Sequence, residues 1–454
     1  MSLSRTEQRQ REKQRHQKKR RRFASFVLIV TGIVLLSAGV YISVSKEGGG
    51  LGEQLARLVN GGDGESVAGD KGRDDPAGGE GDGAEAVNGR PGEDGASEPV
   101  GENDEDGGNS SNGEGEDGVT GGEIASPPNG SEQPGAGEGA VTVSLSFFGD
   151  LMPGEYVNPL MKQHGFDYPY REVLLYLSEP DITAGNLELP ITLRGKPVEG
   201  TPYVYKGSPE VLPSLYDAGI DVLSLATNHA LDQGVEGLLD TMKHLDEAGI
   251  GHFGAGRDDK EAFAPLIREA KGMKVAYIGL TRVVPYPEWK ADRNVPGVAE
   301  TYDTTRAVAA ISKAKDEADL VVVMVHWGKD GADRPESDQR RFAREYIDAG
   351  ADLVIGSHPH VLQGFEMYNG KWIAYSLGNF LFEAYPKGPK AESGVLDAVC
   401  SAEGDCELKF NPMIVEQGQP KPLSGESAAK LLARLGELSY GASLEPDGRI
   451  VPSP

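Results

Sequence analysis

Residues 141 to 385 predict an α/β domain, because apolar strand-like runs alternate there with helical patterns. Six of those runs close in a short polar signature: Gly149-Asp150, Asn186-Leu187-Glu188, Asn228-His229, His326-Trp327-Gly328, His358-Pro359-His360 and Leu377-Gly378-Asn379-Phe380. Parallel strands release their ends on one side of a core, so such signatures would gather in one crevice although more than two hundred residues separate them.

Composition divides the 454 residues unevenly. Residues 1–22 carry ten Lys/Arg against two Glu, a net of +8, and read as a basic cytoplasmic stub. Residues 23–44 contain no charge. As a helix they would span roughly 33 Å, close to the hydrocarbon thickness of a bilayer. The cluster Lys18-Lys19-Arg20-Arg21-Arg22 directly before them predicts a single-pass cell-membrane anchor with its N-terminus inside and the remainder outside. The apolar run exceeds the core of a cleavable signal peptide, which favours an uncleaved anchor.

Residues 45–140 hold 5 basic against 23 acidic side chains and are rich in Gly, with almost no aromatic or β-branched content. Too little apolar surface is available there to offset the entropy of ordering, so a disordered acidic tether is expected. A neutral flexible chain of that length would have an end-to-end distance of roughly 50 Å, and its own charge would extend it. Of the total charge of −26, these counts leave −16 for residues 141–454, which argues against nucleic acid as a partner.

The domain opens on Val141 to Phe148, where apolar and polar residues alternate before Gly149-Asp150. Further strands are expected at 221–226, 274–280, 320–325, 351–355 and 371–377. A helix is expected over 234–248, with Val235, Leu238, Leu239, Met242 and Leu245 on its apolar face and Gly249 as its stop. A second is expected over 335–349, with Pro335 near its first turn and Gly350 beyond its last. Residues 386–454 read as a C-terminal extension packing on the domain, with a helix over 425–438 that offers Ala429, Leu431, Leu432 and Leu435. Cys400 and Cys406 bracket five residues between two strand-like runs, and outside the cell such a pair could staple a hairpin. Tyr203, Tyr205, Tyr286 and Trp289 lie in Pro- and Gly-rich loops, as surface packing or as the lining of a polymer groove.

The chemistry concentrates at the strand ends. Asp150, presented by a glycine turn, suits a cation. Extended geometry puts Asn186 and Glu188 on one face and leaves Leu187 to the core, so a carboxylate there could bridge two metals. Asn228-His229 offers an amide oxygen beside an imidazole. His326 follows six apolar residues, an unusual place for an unliganded imidazole. Pro359 pins His358 and His360 so that both can reach adjacent ligand positions.

Taken together, Phe148-Gly149-Asp150-Leu151-Met152, Gly185-Asn186-Leu187-Glu188, Ala226-Thr227-Asn228-His229-Ala230-Leu231-Asp232, His326-Trp327-Gly328, Gly356-Ser357-His358-Pro359-His360 and Ser376-Leu377-Gly378-Asn379-Phe380 resemble the capsule synthesis protein CapA family. The anchored layout resembles its CapA/PgsA type. The resemblance implies a calcineurin-like metallophosphoesterase fold, a two-sheet β-sandwich flanked by helices, and a role in making, exporting or retaining a poly-γ-glutamate capsule alongside other synthase subunits. It also implies one or two divalent metal ions: one on Asp150, a bridging residue and His360, the other on the same bridge with Asn228, His326 and His358. Glu188 is the expected bridge, with Asn186 as the alternative because it directly follows Gly185. His229 would protonate a leaving group. Met152 stands where the phosphoesterase pattern has a His. Three readings follow: a metal-dependent hydrolase of phosphoester or amide bonds, a non-catalytic subunit that binds polymer or partner, and a structural wall-spanning tether.

Overall fold

A computed structural model describes residues 141–154, 156–382 and 385–453. The expected stub, membrane anchor and acidic tether lie outside the described residues, and no helix among the described residues is long and apolar enough to cross a membrane.

Among the described residues the strands build two large sheets and one two-stranded pair. The larger sheet runs, edge to edge, Ala442–Leu444, Arg449–Pro452, Cys406–Glu416, Glu392–Ser401, Thr142–Leu151, Ile182–Leu187, Val222–Ser224 and Gly251–Phe253; Asn379–Leu381 also pairs with the first strand and Gln419–Pro422 with Cys406–Glu416. The smaller runs Phe365–Tyr368, Lys371–Ala374, Leu353–Ser357, Leu320–His326, Met273–Thr281 and Leu266–Ala270. Both sheets are mixed. Their centres are parallel: Thr142–Leu151, Ile182–Leu187, Val222–Ser224 and Gly251–Phe253 in one, Met273–Thr281, Leu320–His326, Leu353–Ser357 and Lys371–Ala374 in the other.

Alternation within each strand explains the layering. Val143, Leu145 and Phe147 share a buried cluster with Val275, Tyr277, Leu320, Val322, Met324, Leu353 and Ile355, so the two sheets pack face to face. The intervening residues point outward: Phe148 and Leu151 pack with Leu215, Leu238, Met242 and Leu245 of the helices on one side. Ala276, Ile278, Val321, Val323 and Val354 meet Ile311, Phe342 and Tyr346 on the other. The result is a sandwich of two sheets between helical layers.

Several sequence expectations shift. The 234–248 helix is present as Gly234–Ala248, but Val235 in its first turn is 40% exposed. The 335–349 helix is Ser337–Asp348, started by a capping box in which the Glu336 and Gln339 side chains each accept from the other's backbone N–H. The 221–226 run shortens to Val222–Ser224 because the chain turns away to form the Thr227–Asp232 loop. Residues 386–454 are not an appendage. Glu392–Ser401 pairs antiparallel with the first strand from Thr142↔Ser401 to Phe148↔Val395, and Cys406–Glu416 pairs with it in turn, so the sheet continues across residue 385. The helix Gly425–Glu437 buries Leu431, Leu432 and Leu435 in the inter-sheet core and leaves Ala429 exposed. Cys400 and Cys406 are directly paired residues of adjacent strands and form a disulfide.

Candidate metal centre

The parallel centres of both sheets deliver their strand ends to one place. Asp150, next to last in the first strand, lies in register with Asn186 on one side and Asn379 on the other. Gly149 is required because a Cβ there would collide with the Gly378 carbonyl, to which Asp150 N donates at 2.9 Å. Gly185 has the same logic against the Phe148 ring. From the second sheet, His326 and Ser357 are register partners at the ends of their strands. His358 and His360 follow with φ of 96° and 57°, a left-handed backbone that non-glycine residues adopt at a cost and that is concentrated at functional sites.

Asp150 and Glu188 are fully buried. Asp150 Oδ1 accepts from Asn186 Nδ2 at 2.8 Å, and Oδ2 accepts from His358 N at 3.2 Å and lies 3.3 Å from His360 Nδ1. Glu188 Oε1 lies 3.6 Å from His326 Nε2 and 3.7 Å from His360 Nε2. Asn228 Oδ1 is 2.9 Å from His326 Nε2. Two groups of potential ligands result, Asp150-Glu188-His360 and Glu188-His326-His358, each with its donor atoms within 4.8 Å of one another. Glu188 belongs to both. Asn186, the alternative bridge, spends its amide on Asp150 and on a 3.3 Å approach to His326 Nδ1.

The donor set fits a divalent cation. Both carboxylate oxygens of Glu188, Nδ1 of His358 and Oδ1 of Asn186 are buried without a protein hydrogen-bond partner, an expensive condition unless a ligand completes it. Carboxylate, imidazole and amide oxygen together suit a borderline or hard divalent ion. The protein's own electrostatics agree. Burial, reinforced by the Asp150 carboxylate, pushes Glu188 well above the usual carboxylate range. Burial and then the neighbouring His358 and His360 hold His326 well below the ordinary imidazole value. Burial and His360 push His358 down to about 4. Burial also pushes His360 down, but the Asp150 carboxylate more than reverses it and raises that imidazole.

The crevice has a proton-handling edge. His229 Nδ1 sits 2.9 Å from Asp232 Oδ2, a buried carboxylate that also accepts from Tyr205 N at 2.7 Å. That leaves Nε2 of His229 as the free nitrogen. Tyr205 packs edge-on against His229 at 4.6 Å, and Phe382 packs on His360 at 4.6 Å. Met152 is 2% exposed in the outer apolar cluster. Three contributors have no role assigned from sequence, although each stands in a quoted motif: Asp232, Ser357, whose Oγ is 3.1 Å from His326 Nδ1, and Asn379, whose Oδ1 is 3.0 Å from His360 Nδ1. Asp232 three residues after His229 was a readable signal, whereas Ser357 and Asn379 contact residues from other segments.

Fold and site define a two-sheet α/β protein with a buried cluster of acids and imidazoles at its strand ends. The family model described as bacterial capsule synthesis protein PGA_cap matches residues 144–384, and the chain belongs to that family. It is similar to the capsule biosynthesis protein CapA of Bacillus anthracis, 33% identical over 62% of this chain and 70% of that protein. It is similar also to the PGA biosynthesis protein CapA of Bacillus subtilis, 33% identical over 63% of this chain and 75% of that one. Among solved structures, the NAD nucleotidase of Haemophilus influenzae aligns over 66% of this chain and 57% of its own, at 15% identity and a TM-score of 0.37, too distant to carry an argument.

Proposed function

We propose that this chain acts in poly-γ-glutamate capsule biosynthesis as a single-pass membrane protein with its folded domain outside the cell, and that its crevice is a metal-dependent hydrolytic centre for phosphoester or amide bonds. Family membership supports the capsule role, and the basic stub and uncharged run of residues 1–44 support the anchor. One observation carries the site reading: Glu188 is a fully buried carboxylate with no protein hydrogen-bond partner, shared by two groups of ligand atoms.

In this reading Asp150, Glu188 and His360 hold one divalent cation, and Glu188, Asn228, His326 and His358 hold the second. Bound there, such ions would supply charge neutralisation and an acidified water. The chain's own part is to orient and to move a proton. Ser357 and Asn379 fix the rings of His326 and His360, and Asp232 fixes His229 so that Nε2 can deliver a proton to a leaving group.

A non-catalytic polymer- or partner-binding role is favoured by one specific feature: Met152 lies in the core, so the side chain at that position is not a ligand. Metal content of the purified full-length chain, with turnover of phosphoester and γ-glutamyl amide substrates, separates the two. The hydrolase reading expects bound metal and turnover that His358→Ala abolishes. Metal without turnover, and capsule formation unaffected by His358→Ala, would establish the binding role. Protease access to the folded domain on intact cells tests the topology.

A further inference from the structure

One stretch beside the crevice is cationic in a domain that is otherwise acidic. Residues 193–206 carry Arg194, Lys196 and Lys206 against Glu199 alone, a net of +2 within the −16 of residues 141–454. Both ends of the stretch are tied to the segment that orients His229: Lys196 N and Val198 N donate to the carbonyls of Gln233 and Asp232, and Gln233 Nε2 donates to the Tyr205 carbonyl at 3.1 Å. Lys206 Nζ reaches the Arg194 carbonyl at 3.4 Å. Arg194 is paired with Glu236, but among the described residues no carboxylate pairs with Lys196 or Lys206. Tyr203, 60% exposed, lies within 7° of parallel to Tyr205 with ring centroids 6.4 Å apart, and Tyr205 in turn touches His229. An aromatic and cationic ledge therefore runs from solvent to the crevice.

We propose that this ledge binds an extended polycarboxylate, the poly-γ-glutamate chain, and leads it to the crevice; the proposal rests on the capsule reading above. The chemistry is complementary. Each γ-linked residue offers a free carboxylate for an ammonium group, and a methylene pair and an amide plane for an aromatic face.

The test is binding of end-labelled poly-γ-glutamate to the full-length chain in detergent, followed by anisotropy over a range of salt. Removing both cations in Lys196→Ala/Lys206→Ala should weaken binding about fivefold and flatten its salt dependence. The Lys196→Arg/Lys206→Arg pair should restore both. Tyr203→Ala should weaken binding about threefold with the salt dependence unchanged, since the lost contact is uncharged. Inorganic polyphosphate has no apolar face, so it should respond to the lysine changes and ignore Tyr203→Ala. Polymer bound by the wild type with unchanged affinity in both sets of variants would overturn the ledge while leaving the capsule reading in place. Polymer not bound by the wild type would overturn the ledge and count against polymer contact altogether. Polyphosphate as sensitive to Tyr203→Ala as the polymer would overturn the polycarboxylate assignment.

Discussion

Glu188 concentrates the electrostatic problem of the site in one side chain. Burial and the Asp150 carboxylate both oppose its charge and raise its carboxyl well above the usual range when no cation is present. Glu188→Gln should therefore leave the metal-free protein as stable as the wild type or slightly more so, while abolishing the rise in melting temperature on adding divalent metal. A large loss of stability without metal would contradict that picture. His360 shares the pH dependence of metal binding with Glu188. Its pKa is raised in the metal-free protein, so a cation must displace a proton from it near neutrality, and metal affinity should climb as pH rises through that range. His358, held at about 4, is already neutral there and adds no slope. Titrating metal binding between pH 5 and about 8 in wild type and His360→Gln checks this, with the slope expected to fall in the variant and the remainder to come from Glu188, whose raised carboxyl must also ionise to bind. Asp150 and His326 were legible because each closes an apolar run, and His358 and His360 because a single proline separates them. Asn379 was quoted within a motif but its task was hidden, since only the parallel pairing with the first strand sets it opposite Asp150.

At the scale of elements, the Glu392–Ser401 strand carries the unusual group Asp397. Burial pushes its carboxyl up to about 6, against hydrogen bonds from Asn411 Nδ2 at 2.7 Å and Ser146 Oγ at 3.2 Å. A folded pKa above the unfolded value of about 4 means that the native state holds the extra proton, so stability falls as pH rises from about 4 through 6. Asp397→Asn should flatten that part of the stability curve, read by denaturant melts at each pH. The Cys400–Cys406 bridge closes a short hairpin, and its reduction should cost about 2 kcal/mol by the loop-entropy estimate. Unchanged unfolding in reductant would show the strand pairing to be sufficient. Long strands were readable from alternation and continuous apolar runs. Val222–Ser224 was overextended because the residues after it stay apolar while leaving the sheet to position Asn228 and His229. Ala429 looked like a core residue by helical spacing, yet the helix offers the inter-sheet core only a narrow stripe through Leu431, Leu432 and Leu435.

For the whole molecule, the domain boundary expected near residue 385 falls inside a continuous sheet. A chain ending at 385 would expose a full edge of the first strand and remove part of the inter-sheet core, including Leu396, Phe410 and Leu435. It should accumulate as insoluble material, whereas a chain that keeps residues through 453 should not; soluble, cooperatively melting 141–385 protein would refute this. Sequence pattern could not reveal it, because pairing between residues 142 and 401 leaves no local signature. The same topology gives the domain a mechanical character. Its polypeptide enters at the middle of the large sheet, through a strand hydrogen-bonded along both flanks. A pull applied through residue 141 is thus borne in shear by many bonds at once, whereas a pull on an edge strand would peel bonds apart one by one.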